Sequence, residues 1–351
     1  MKSRPDPDRS FDRLYRWNIG VFFLIACWLG QSLLAKETIL VLRPDNPHFE
    51  DAIEGFRLDL SDDFEILDFF VSKHQSRSMS SQMAKFHQSL EKNHPRLLVL
   101  MNNYSIEFFR KYTDKYGPIP HIPVLVMMAV FAEPMIDLLD NATGIHYEVP
   151  AITYLVNLRS LMKKPLRKVG VIYRSHLKSF YLNQKELCAR EQIELVGIEI
   201  QRGSRMLKRV RNALKSLTSD DEIDALWVLN DSFILSDRYR RKAWTPILKN
   251  YPNPVVVGIE TFVNKTNVMG SFAVVPDHYS LGQQAAELVH QIRDQEWQAG
   301  DIPVSYPFGV LKILNITKLD PSIQLNDEAL LELDKIIDAS KKNTMESQDD
   351  P

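Results

Sequence analysis

Small clusters of polar and aromatic side chains follow the apolar runs of this 351-residue chain. Arg43, Asn46 and His48 come after Thr38-Ile39-Leu40-Val41-Leu42, and Asn102, Asn103, Tyr104 and Ser105 come after Arg96-Leu97-Leu98-Val99-Leu100-Met101. Phe131 and Glu133 follow the run from Pro123 to Val130, Tyr173, Arg174 and Ser175 close the run from Lys168, and Asn230, Asp231 and Ser232 follow Ala225-Leu226-Trp227-Val228-Leu229. Amides and hydroxyls exchange hydrogen bonds, a guanidinium pairs with carboxylates, and aromatic rings suit a flat or apolar ligand. That chemistry binds a molecule without breaking its bonds. Each cluster also has a plainer use. Asn102, Asn103, Asn230 and Asp231 are common turn and helix N-cap residues, Arg43 suits either a carboxylate or solvent, and Tyr104, Phe131 and Tyr173 could serve only as packing.

Signals for catalysis are poor. The chain has no nucleophile elbow, no glycine-rich phosphate loop and no zinc-protease helix motif. His87 and His94 are seven apart, but Pro95 ends that helix and no Asp or Glu completes a metal set. We therefore expect neither an enzyme nor a cofactor. A net charge of −2, without a long basic block in the folded part, lacks the electrostatic footprint of a nucleic-acid binder.

The elements that position these clusters alternate. Apolar runs at 38–42, 64–71, 96–101, 123–130 and 142–145 read as strands, with helices between them, including a face of Phe49, Ile53, Phe56 and Leu60. The pattern restarts with a helix over 152–162, strands at 168–173, 193–200, 225–229 and 254–258, and helices at 178–190, 204–217 and around Trp244. Continuous apolar strands separated by helices indicate parallel sheets covered on both faces. Two such sets argue for an α/β protein of two Rossmann-like lobes. In the stretch GSFAVVPDHYSLGQQAAELVH, Pro276 closes a strand and Asp277 stands at a helix N-cap. We read Gly270 to Pro276 as a hinge crossing and Asp277 to His290 as a first-lobe helix. Two short strands over 303–315 and a final helix over 328–337 complete the chain. The expected domains are a first lobe of 36–147 with 274–338, a second lobe of 148–273, and a polar tail over 339–351.

Residues 1–35 differ from the rest. Five basic residues precede an apolar run from Ile19 to Ala35, the layout of an export signal cleaved after Ala35. Two other readings are open: Leu24-Ile25-Ala26-Cys27 is similar to a lipobox with Cys27 lipidated, and an uncut apolar segment of this length can just span a bilayer. All three place the folded part outside the cytoplasm. Its one remaining cysteine, Cys188, cannot form an internal disulfide and is expected to be a buried small hydrophobe.

KVGVIYRSHLKSF, DALWVLNDSF, Thr143-Gly144-Ile145 and PDHYSLGQQAAELV together resemble the solute-binding proteins of ABC transporters. The likeness is to the type I periplasmic-binding-protein branch that includes tryptophan- and tyrosine-binding members. It spans roughly residues 37 to 338. The resemblance implies two lobes joined by a multi-strand hinge, closing on a small solute that is handed to an inner-membrane ABC permease, or sensed on behalf of a membrane receptor. It matches Asn230-Asp231 to a polar pair facing the cleft and Asn102–Ser105 to a first-lobe loop. The chain departs from the family at Gly258-Ile259, where a Ser-Asp pair is common, and at the bulky Met127, Met128 and Phe131.

Overall fold

The computed structural model describes residues 36–72, 79–119, 121–264 and 269–338. The segment with Cys27 and Ala35 and the tail beyond 338 lie outside these residues. The first lobe holds β1 (Glu37–Arg43), α1 (Glu50–Leu60), β2 (Phe64–Phe70), α2 (Met79–Asn93), β3 (Leu97–Met101), α3 (Asn103–Tyr116), β4 (Val124–Ala129) and β5 (Ala142–His146). Its sheet runs β2-β1-β3-β4-β5, every pair parallel. Ile39 and Val41 enter one core while Leu40 and Leu42 enter another on the opposite face. A strand buried on both sides has no polar face, which is why these runs read as unbroken apolar stretches.

The second lobe holds α4 (Ala151–Leu161), β6 (Lys168–Arg174), α5 (Lys178–Arg190), β7 (Glu194–Ile200), α6 (Met206–Thr218), β8 (Ala225–Val228), β9 (Val255–Val257) and β10 (Phe272–Pro276). Helix α7 (His278–Asp294) then intervenes before β11 (Val310–Asn315) and β12 (Lys335–Ile337). The sheet order is β12-β11-β10-β9-β8-β6-β7. Strands β6 to β10 repeat the winding of the first lobe, and β11 adds antiparallel to β10.

Three expectations change. Phe272–Pro276 is the fifth strand of the second sheet, not a crossing: Phe272 and Val274 enter one core and Ala273 and Val275 the other, so burial on both faces fixes it there. Residues 310–338, expected in the first lobe, add two strands to the second sheet. Within them the expected final helix is one turn, Asp327–Leu330 capped by Asn326, followed by β12. The Asp334 carboxylate accepts from Lys312 N, and Asp334 N donates to Lys312 O, which draws the segment onto β11.

The chain passes between lobes three times: at 147–150, at Pro276-Asp277, and over 303–310. Asp277 caps α7 by accepting from Tyr279 N. That helix packs on α1 of the first lobe, as its apolar face predicts. On the third passage Ser305 bridges to Ile145 at the edge of the first sheet before β11 begins.

Candidate ligand-binding cleft

In doubly wound sheets ligands collect beyond the carboxyl ends of the strands. Here Phe131, beyond β4, and Asn230, beyond β8, meet beside the first crossing. Phe131, just past β4, meets Phe180 of α5 edge-to-face with ring centroids 5.1 Å apart. Phe180 lies 6.4 Å from Trp227 of β8, which lies 6.1 Å from Tyr154 of α4. These four rings, with Glu148, Val149, Leu229 and Asn230, line a void of about 10 Å³. The aromatic side chains fill most of the space between the two lobes here.

The backbone is bent to make this contact. Beyond Val126 the pairing of β4 with β5 shifts register, and Met128 and Phe131 have φ of 53° and 49°. A bulky residue in the left-handed region costs of order 1–3 kcal/mol and concentrates at functional sites. The turn is braced by Asn103, whose amide donates to Val130 O at 2.7 Å and accepts from Val130 N at 2.9 Å.

Glu148, on the first crossing, reaches back to the Phe131 turn of the first lobe. One carboxylate oxygen accepts from Phe131 N, and the other is buried with no hydrogen-bond partner among the described residues. His146 Nδ1 lies 3.9 Å from that second oxygen. Burial raises the Glu148 carboxyl to about 7, opposed by the hydrogen bond from Phe131 and reinforced by Glu133. Burial lowers the His146 pKa, against the pull of Glu133, and Tyr306 stacks on the imidazole at 4.4 Å. Burial also raises the Tyr154 hydroxyl. A β-carbon on Gly258 would stand 2.4 Å from that hydroxyl and 2.6 Å from the Asn230 amide, so the absence of a side chain at 258 makes room for both groups.

Of the expected site residues, the structure brings Phe131 and Asn230 into this cleft. Asn230 also donates to Gly258 O at 3.2 Å. Asn102 caps α3 by accepting from Ser105 N, and Asn103 holds the Phe131 turn. Tyr104 donates to Ser72 O, and the Ser105 hydroxyl is buried without a partner among the described residues. Arg43 is buried and bound by Asp68 through two nitrogens and by Glu50 at 2.8 Å, so its guanidinium is occupied within the first lobe. Arg174 grips Asp231 at 2.5 and 2.7 Å and lies over Phe233, and Asp231 also caps Phe233 N. Tyr173 stacks on Tyr181 at 4.3 Å inside the second lobe, and Ser175 is exposed at the start of a short 3-10 turn. Sequence reasoning missed Glu148, Tyr154 and Phe180 and placed Trp227 only as a strand residue. A carboxylate between Tyr147 and Val149, just past a strand end, is the one local signal that pointed to Glu148.

No protein-family model and no curated protein matches the chain. Solved structures do. The chain is similar to an ABC domain from Streptococcus pneumoniae determined with L-Trp, at 18% identity and a TM-score of 0.55 over 86% of this chain and 100% of that one. It is also similar to the ligand-free, open form of a substrate-binding protein with adhesive properties from Clostridium difficile, at 16% identity and a TM-score of 0.58, covering 88% and 97%. A conserved domain protein from Vibrio cholerae gives 15% and 0.54, covering 86% and 99%. The chain has the type I periplasmic-binding-protein fold.

Proposed function

We propose that the chain is an extracytoplasmic solute-binding protein of an ABC transporter, closing its lobes on a small solute and presenting it to an inner-membrane permease. One observation carries this reading: Phe131 from one lobe and Phe180, Trp227 and Asn230 from the other converge beside the first crossing. A solute that touches both sides stabilises the closed form over the open one, and a solute touching one side does not. The aromatic lining favours an aromatic compound or an amino acid with an apolar side chain. The basic, apolar start of the sequence agrees with export. Among the described residues no helix is long and apolar enough to cross a membrane.

The test is isothermal titration of the protein with aromatic and branched amino acids, aromatic amines and neutral sugars. Saturable binding of one of these classes is the expected result. Absence of binding across all of these would remove the solute-binding reading.

A further inference from the structure

We propose that the cleft selects an organic monocation, an amine or quaternary ammonium without a carboxylate of its own, held by the Glu148 carboxylate inside the rings of Phe131, Tyr154, Phe180 and Trp227. This rests on the solute-binding reading and narrows its ligand class. Glu148 is 4% exposed and one of its oxygens accepts no hydrogen bond among the described residues. A buried acceptor left without a partner costs free energy that a donor in the cleft would recover. The groups around it are three phenyl or phenol rings and an indole, and the faces of such rings attract cations, more strongly when water is excluded. Carboxylate and rings therefore favour the same charge.

The polar remainder of the lining argues against the other charge types. Besides Glu148 it contains the Asn230 amide and the Tyr154 hydroxyl, and no Lys or Arg. The two arginines nearest in sequence logic, Arg43 and Arg174, are engaged by Asp68 with Glu50 and by Asp231. His146 stands beside Glu148, but its burial disfavours the imidazolium. An anionic solute would face Glu148 with no cation to offset it. An α-amino acid would place its ammonium well and leave its own carboxylate unpaired in a low-dielectric site. A solute with positive charge alone leaves no like or unpaired charge among these groups, an amine also donating N–H to the Glu148 oxygen and a quaternary ammonium acting through its charge.

Titration calorimetry of the full chain with phenethylamine and tetramethylammonium as cations, 2-phenylethanol as neutral isostere and phenylalanine as zwitterion tests this. We expect at least one cation to bind ten or more times more tightly than both the alcohol and the amino acid. Glu148→Gln keeps an oxygen to accept from Phe131 N and removes the charge. It should weaken cation binding about 10- to 100-fold while the melting temperature does not fall. Below pH 7 cation binding should also release a proton from Glu148, read as an enthalpy that depends on buffer ionisation. Equal affinity for the alcohol or for phenylalanine, or unchanged cation affinity in Glu148→Gln, overturns the inference. So does failure of both cations when a sugar or an amino acid binds, and that outcome leaves the solute-binding reading standing. Failure of every solute removes both.

Discussion

Glu148 is the side chain whose placement costs the fold most visibly. Its carboxyl is raised from 4.5 to about 7 by burial, so the folded form holds the proton more tightly than the unfolded chain. Its contribution to stability is then fully present below pH 4.5 and lost as pH rises through 7, amounting to about 3 kcal/mol of destabilisation at pH 8. Glu148→Gln should remove that dependence and raise the melting temperature at pH 8 but not at pH 4, as scanning calorimetry at the two pH values would reveal. Arg174 and Asp231 show a different asymmetry. Asp231 is 1% exposed at its side chain and Arg174 is 24% exposed. Arg174→Ala leaves a buried carboxylate without its cation and should cost about 3 kcal/mol, whereas Asp231→Ala frees an arginine that can turn to solvent and should cost about half of that. Urea unfolding of both variants checks the order, and equal losses would contradict it.

The helices α1 and α7 meet through two glycines. A β-carbon on Gly282 would stand 2.1 Å from Ala52 O, and one on Gly55 would stand 2.2 Å from Tyr279 O. These are backbone contacts, so nothing can rotate away. Gly282→Ala gains about 1 kcal/mol of helix propensity and forces the helices apart, an overpacking that should dominate and leave a net loss of about 1–3 kcal/mol. Thermal melts would register it. Solute affinity measured below the transition should be unchanged, because α7 contributes none of the cleft lining. Much of this level was legible from the residues. The Phe49, Ile53, Phe56 and Leu60 face is buried as its spacing implied, and Cys188 is buried with its thiol pushed up to about 12. The misplaced pieces, β10 and 310–338, share one cause. A short apolar strand states that it will be buried on both faces but not in which sheet, since that depends on partners far along the chain.

The proposed closure of the two lobes would draw on contacts that cross between them, and Phe131 on Phe180 is one. An edge-to-face pair contributes about 0.5–1.5 kcal/mol beyond the area it covers. Phe180→Ala should therefore shift the solute-free protein toward the open form by about two- to twelvefold. Small-angle scattering should report a larger radius of gyration for the variant without solute. An unchanged radius would mean that other contacts between the lobes hold the closed form on their own.

Local pattern carried the secondary structure, the two βα sets and the strand ends where a ligand would sit, because periodicity and capping act over a few residues. Phe131 and Asn230 were reached in that way. Arg43 and Arg174 were not separable from ligand-binding residues by type or position, since the carboxylates that engage them, Asp68 and Asp231, lie 25 and 57 residues away. Glu148 is the clearest case. Its identity was in view from the start, but its burial, its unpartnered oxygen and its ring of aromatics exist only once the two lobes bring residues 131, 148, 154, 180 and 227 together.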